Sequence, residues 1–368
     1  MDKLNIEPLS SWPGYAGQSP YIIAGPCSAE SREQVLATAT QLAATGKVHA
    51  LRAGVWKPRS RPGAFEGAGI EALEWLQEAK NQTGLALAIE VATPQHVEQA
   101  LKYGIDILWV GARTVSNPFS IEQLANAMRG TSAYVMVKNP VNPDLELWIG
   151  AIERLYRSGI TRLAAIHRGF FPFERTTLRN LPKWEITIDL RSRMPNLPII
   201  CDPSHIAGKA SIVPTIAQKA IDLMADGLMV EVHNNPKVAL SDAQQQLTPS
   251  AFNDMLNALS IKSSTTSDTP FCDKLKQFRS KIDSIDQQLL ELLAQRMNIV
   301  KEIGEFKKQC NVKPYQESRW ENIVDSRVQY GLQIGLSEEY IKSLLQLVHK
   351  ESIRKQAEIM DADSNGNA

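Results

Sequence analysis

Apolar residues in the first 260 positions fall into short runs separated by helix-like repeats. Eight runs stand out: YIIAGPCS (21–28), ALRAGVW (50–56), LALAIEVA (85–92), ILWVGA (107–112), AYVMVKN (133–139), RLAAIHRG (162–169), LPIICDPS (197–204) and GLMVEVH (227–233). They are nearly continuous in aliphatic residues rather than alternating, as expected of parallel strands buried on both faces. Between them, SREQVLATATQLAATG, GIEALEWLQEAKNQTG, PQHVEQALKYG, SIEQLANAMRG and DLELWIGAIERLYRSG carry apolar residues at helical spacing, and most end in glycine. Ser31 opens the first with a Ser-x-x-Gln capping pattern. Strand then helix, eight times, predicts an α/β fold: a (β/α)8 TIM barrel over residues 1–261, with a doubly wound open sheet as the alternative. Residues 1–20, rich in Pro and Gly, predict an irregular lead-in that plugs the barrel from below.

The pattern changes at residues 262–270, where KSSTTSDTP is polar, small and free of aliphatic residues: a linker. A small all-α domain is expected over 271–360. Its first helix, beginning FCDKLKQFRSKIDSIDQQLL, keeps three- and four-residue apolar steps for more than 30 positions, until VKPYQ breaks it. SRWENIVDSRVQYG and SEEYIKSLLQLVHKESIRKQAEIM predict two more helices, and 361–368 a disordered tail. Three helices in so short a stretch make a thin core, which predicts a homodimer through this domain.

Formal net charge is zero, which removes any electrostatic reason to expect nucleic acid or an acidic membrane as partner. No run approaches the roughly 20 apolar residues of a membrane helix. The start, MDKLNIEPLSSWPGYAG, lacks the basic and apolar segments of a secretion signal. Four cysteines without a C-x-x-C pair fit a reducing cytoplasm.

A (β/α)8 barrel gathers its strand ends on one face, and here those ends carry the reactive side chains. Cys27, His205, Glu231 and Asp242 would converge there, a mixed sulfur, nitrogen and oxygen set suited to a divalent transition metal. Manganese, iron, cobalt and zinc all remain open. Arg52, Lys57, Arg59, Ser60, Arg113, Lys138 and Arg168 reach the same mouth. So many cations would repel one another without an anionic ligand, which implies a substrate with several negative charges, or two phosphorylated species. Cys27 and Cys201 both fall near the mouth by strand register, which leaves an inactivating disulfide between them under oxidation as an open hypothesis. On the long helix, Arg279, Arg296 and Lys307 are spaced 17 and 11 residues apart, near whole numbers of turns, and so share one stripe.

The motifs AGPCS, KPRS, GAR, VKNP, HRG, DPSH and the late Glu–Asp pair occur in an order that resembles 3-deoxy-D-arabino-heptulosonate 7-phosphate (DAHP) synthase, the first enzyme of the shikimate pathway. The resemblance implies that Cys27, His205, Glu231 and Asp242 hold the metal. It implies that Arg52, Lys57, Arg113, Lys138 and Arg168 bind phosphoenolpyruvate, and that Pro58, Arg59 and Ser60 meet erythrose 4-phosphate. Lys57, Lys138 and His205 would act in catalysis. The sister 3-deoxy-octulosonate 8-phosphate synthase is the alternative for the barrel, and KPRS argues against it. Other members of this subgroup carry a ferredoxin-like domain ahead of the barrel; the short lead-in here predicts none.

The KIDSIDQQLLELLAQR segment, with Arg319, Ser352 and Gln356, resembles the all-helical chorismate mutases. That resemblance implies substrate binding by Arg279 (from a partner subunit), Arg296, Lys307, Arg319, Ser352 and Gln356, with Lys307 and Gln356 acting on the breaking ether bond. Gln316 and Trp320 stand where the family commonly has carboxylates that hold the substrate hydroxyl, with Glu321 next. A bifunctional enzyme with prephenate or chorismate feedback is expected, and a non-catalytic sensor is the alternative for the helical domain.

Overall fold

A computed structural model describes residues 4–15, 17, 20–57, 65–173, 176–223, 225–261, 269–310, 312, 313, 315 and 317–361. The chain divides into two compact units, Met1–Lys262 and Ser263–Ala368. In the first, eight parallel strands close in sequence order: β1 (Tyr21–Gly25), β2 (Ala50–Ala53), β3 (Ala86–Val91), β4 (Ile107–Val110), β5 (Tyr134–Lys138), β6 (Leu163–His167), β7 (Ile199–Cys201) and β8 (Gly227–Glu231). Closure runs through β1 and β8, from Tyr21 opposite Gly227 to Gly25 opposite Glu231. The closed ring removes the open-sheet alternative.

Helices α1 (Arg32–Ala43), α2 (Ile70–Thr83), α3 (Pro94–Lys102), α4 (Ala112–Val115), α5 (Pro118–Met128), α6 (Leu145–Arg157), α7 (Trp184–Arg193), α8 (Pro203–Ala207), α9 (Val213–Asp222) and α10 (Pro249–Ala258) follow the strands. Their starts are written locally. Ser31, Thr93, Asn117, Asp144 and Thr248 each accept a backbone N–H at the first turn of α1, α3, α5, α6 and α10. The single-turn helices α4 and α8 extend β4 and β7 and carry Arg113 and His205.

Strand alternation sorts the barrel into two cores. Leu51, Leu87, Leu108, Val135, Leu163 and Val230 face the helices. Ile23, Ala88, Trp109, Met136, Ile166 and Met229 fill the interior. Trp12, 2% exposed, closes the lower end of that interior, its ring 5.0 Å from Tyr134 and 6.1 Å from Tyr21. The lead-in is thus a plug, as its composition predicts.

The second unit consists, among the described residues, of α11 (Thr269–Gln309), α12 (Glu317–Gln333) and α13 (Glu338–Asp361). Helix α11 begins two residues inside the expected linker, and α13 takes in Asp361 from the expected tail; the rest of both segments lies outside the described residues. Phe278, Ile282, Ile285, Leu289, Leu292 and Ile299 form an exposed stripe along α11 at alternating three- and four-residue steps, interrupted by Arg296. No described helix of the chain is long and apolar enough to cross a membrane.

Gly25 ends β1 just before Cys27 with φ of +150°, and a Cβ there would lie 2.1 Å from the Arg52 carbonyl oxygen. Gly84, with φ of +73°, faces open space. Gly25→Ala is therefore expected to cost more than about 2 kcal/mol in urea unfolding, against about 1 kcal/mol for Gly84→Ala. Equal midpoint shifts for the two variants would refute the close approach.

Candidate active sites

The inward row of each strand turns from apolar to charged at its carboxyl end. Two residues beyond the interior Ala50, Ala88, Met136, Ile166, Ile200 and Met229 stand Arg52, Glu90, Lys138, Arg168, Asp202 and Glu231. Glu90, Lys138 and Arg168 line a cavity of about 420 Å³ with Cys27, Lys57, Arg113, Arg179, Asn180, His205 and Asp242, while Arg52, Asp202 and Glu231 are buried.

On one wall, Cys27 Sγ, an oxygen of Glu231 and an oxygen of Asp242 all lie within 4.8 Å of one another. The His205 Nε2 atom is 3.8 Å from Glu231 Oε1 and 4.0 Å from Asp242 Oδ2. Thus the four residues expected as metal ligands do converge. Each is held from behind. Gln246 accepts from Cys27 N at 2.9 Å, and Gln245 donates to Glu231 Oε2 at 2.7 Å. Asp202 Oδ2 lies 2.8 Å from His205 Nδ1, which aims Nε2 at the cluster. Asp242 adopts a left-handed backbone with φ of +47°. The donor set fits a divalent cation on chemistry, and a cation already sits against it: Lys57 donates to Cys27 Sγ at 3.2 Å and to the Cys27 carbonyl oxygen.

The electrostatics match. Burial pushes Glu231 up, but His205 and Arg52 outweigh it and hold the carboxyl below the ordinary range. Burial also works against ionised Asp242, and Arg179 and His205 bring it down to about 2. The Cys27 thiol is pushed up to about 11 by burial and Glu231. A metal would have to displace that proton.

Beside this cluster the mouth is cationic. Lys138, 4% exposed, donates to Asp202 Oδ2 at 3.1 Å. Arg52, 1% exposed, lies 3.2 Å from Glu231 Oε1, and its Nε and Nη1 have no hydrogen-bond partner. Trp109 lies under both cations, 5.0 Å from the Arg52 guanidinium and 5.8 Å from Lys138 Nζ. Burial, with Arg179 and Arg113 nearby and only partly opposed by Asp202, holds Arg168 down to about 10. Such a cluster favours an anionic ligand.

Sequence reasoning missed Asp202 and Arg179. Asp202 stands in the quoted DPSH motif and caps α8 by accepting from His205 N at 3.1 Å. Arg179, in the loop before α7, pairs with Asp242 at 3.0 Å; the sequence around it carries no periodic signal. Pro58, Arg59 and Ser60 lie outside the described residues. Cys201 does not face the mouth: it packs in the outer core, because alternation turns it away from the neighbouring Asp202. The premise for a Cys27–Cys201 disulfide, that both face the mouth, does not hold.

In the helical unit, Arg296 donates to Ser352 Oγ at 2.6 Å, joining α11 to α13. Gly304 lets the helices approach: a Cβ there would meet Gln356 Cα at 3.3 Å and Ile359 Cδ1 at 3.2 Å. Burial lowers the pKa values of both Arg296 and Lys307. Ser352 and Gln356 are 4% and 6% exposed, so these polar groups sit in a protected crevice. Arg279 is exposed 17 residues away on α11, about 26 Å along the axis, apart from that crevice. The Gln316 residue and the Arg319 side chain lie outside the described set.

The barrel and its mouth define a (β/α)8 enzyme of phosphorylated or carboxylated substrates. Residues 14–266 match the model of the DAHP synthetase I family, and residues 278–357 that of chorismate mutase type II. The chain belongs to the DAHP synthetase I family. It is 33% identical over 238 residues to a phospho-2-dehydro-3-deoxyheptonate aldolase of Thermotoga maritima, covering 65% of this chain and 68% of that one. It is 29% identical over 258 residues to a 2-dehydro-3-deoxyphosphooctonate aldolase of Helicobacter pylori, covering 62% and 90%. The crystal structure of the Thermotoga maritima DAHP synthase superposes with a TM-score of 0.59 at 32% identity, covering 65% of this chain and 67% of that one. A truncated form gives 0.56 at 30%, covering 64% and 84%. The octulosonate relative matches at lower identity than the DAHP synthase relative, 29% against 33%, and the chain joins a DAHP synthase barrel to a chorismate mutase unit.

Behind the mouth, His167 faces the helices and bonds the Pro182 carbonyl oxygen at 2.5 Å. Burial lowers its pKa from 6.5 to about 4. The unfolded chain therefore binds the extra proton first. Stability should fall as pH drops from about 6.5 towards 4, by on the order of 3 kcal/mol. Urea unfolding at both ends of that window should show a shallower loss in His167→Gln; parallel losses would contradict the assignment.

Proposed function

We propose that the barrel mouth condenses phosphoenolpyruvate with erythrose 4-phosphate, with Cys27, His205, Glu231 and Asp242 holding a divalent transition metal. The observation that carries this is the four-residue donor set beside a group of cations at one cavity. The metal, when bound, supplies Lewis-acid polarisation of the aldehyde oxygen. Lys57, Arg113, Lys138 and Arg168, with Arg52 beneath them, hold the carboxylate and phosphate of phosphoenolpyruvate. Pro58, Arg59 and Ser60 meet the second sugar phosphate. The enol carbon forms a bond to the aldehyde carbon, whose oxygen takes up a proton. Water adds at the carbon bearing the phosphate, and inorganic phosphate leaves, giving DAHP. Lys57, Lys138 and His205 stabilise charge and move protons as it shifts. A cytoplasmic site of action suits four cysteines that form no disulfide.

In the helical unit Arg296 and Arg319, with Arg279 of a second copy, grip the carboxylates of chorismate. Ser352 assists them. Lys307 and Gln356 hydrogen-bond the ether oxygen as its bond breaks, which is electrostatic catalysis of the rearrangement to prephenate. The exposed stripe on α11 is the surface through which a homodimer forms. Binding of prephenate at this unit lowers barrel activity.

Phosphoenolpyruvate consumption with erythrose 4-phosphate should vanish on chelation, return with added manganese, iron, cobalt or zinc, and fall when prephenate is present. Full activity of the metal-free protein would overturn the ligand assignment, and indifference to prephenate the feedback. Sedimentation should give about twice the 40.8 kDa chain mass. Lys307→Ala should abolish chorismate turnover at unchanged mass; a monomer that turns over chorismate would refute the shared site.

A further inference from the structure

The crevice of the helical unit contains a polar group that the roles above do not use. His349 precedes Ser352 by three residues and Gln356 by seven, so all three face the same way from α13. Its ring lies flat on Trp320 of α12, with centroids 3.9 Å apart and planes at 21°. Tyr315 meets it edge-on at 5.9 Å. The Nε2 atom is buried and has no hydrogen-bond partner. A buried nitrogen without a partner is costly, so its retention points to a ligand. Arg296 and Lys307 lie close enough that, with burial as the larger cause, they hold the ring's pKa below the ordinary value. The imidazole is thus a neutral group among cations.

We propose that His349, held in place by stacking on Trp320, hydrogen-bonds the ring hydroxyl of chorismate through Nε2 and so sets the affinity of this site for its substrate. The inference rests on the mutase reading of the helical unit. Chorismate presents two carboxylates, an ether oxygen and one hydroxyl. The cations suit the first three, and a neutral nitrogen that can donate or accept suits the fourth. The stacked indole restricts the imidazole to one plane, so little freedom is lost when the bond forms. The hydroxyl takes no part in the bonds made and broken, so this contact acts on binding more than on the chemical step.

The test compares the full-length chain with His349→Phe, which keeps an aromatic ring on Trp320, and with His349→Gln, which restores a polar atom. Steady-state kinetics are measured with chorismate and with an analogue in which the hydroxyl is replaced by hydrogen. His349→Phe should raise KM for chorismate about tenfold, with kcat within about twofold. For the deoxy analogue the change should be under about twofold, and His349→Gln should recover part of the loss with chorismate. Equal losses on both compounds would mean a merely structural role, and no change on either would mean no contact; both overturn the proposal. If the wild-type chain turns over no chorismate, the mutase reading fails on its own. Calorimetric titration of the same three proteins with prephenate then decides the His349 contact: an approximately tenfold weaker Kd in the Phe variant, partly recovered by Gln, supports it, and an unchanged Kd overturns it.

Discussion

One buried carboxylate organises the mouth of the barrel. Asp202 is fully buried, lies against Lys138 and His205 and caps α8, so it joins β5, β7 and the histidine aimed at the donor cluster. Burial by itself would protonate it; the His205 ring and Lys138 hold it well below the ordinary carboxylate range. The same compensation recurs where Arg52 meets Glu231 and Arg179 meets Asp242. Breaking one partner of such a pair leaves an uncompensated charge, at a cost of roughly 3–5 kcal/mol when both are buried. The charges of this site therefore stand or fall together.

That balance depends on the two-residue period of the strands. Arg168 enters the mouth while His167 beside it packs outward; Asp202 enters while Cys201 packs outward. The inward rows are apolar below and charged above, so the lower interior forms a dry base for the chemistry. Trp109 links the two levels: its ring lies beneath Arg52 and Lys138, and its Nε1 donates to Glu90 at 2.8 Å. The close packing reaches the backbone, since a Cβ at Gly111 would strike Glu90 Oε1 at 2.2 Å.

The helical unit solves a different problem. Only a few of its apolar residues, Val300, Val328 and Ile341 among them, are buried, while the α11 stripe stays exposed. Two polar side chains on α13, Ser352 and Gln356, are buried as well, where α11 approaches at Gly304. So little apolar burial, alongside an exposed apolar stripe, is the mark of a thin core.

The sequence by itself determined the eight parallel strands with their helices, the change of architecture after residue 261 and most of the charged mouth, while closure of the sheet into a barrel came from the structure. These are period and end effects: continuous aliphatic runs mark parallel strands, and charges at their carboxyl ends must meet on one face. The convergence of Cys27, His205, Glu231 and Asp242 was legible for that reason, although Cys27 and Asp242 are 215 residues apart in the chain. Only the tertiary structure decided which way each end residue points. It turned Cys201 outward against expectation, brought Arg179 in from an aperiodic loop, made Asp202 the partner of His205 and laid His349 on Trp320. Those outcomes depend on the direction of a side chain across a strand or a crevice, which residue order constrains only after the neighbouring elements have packed.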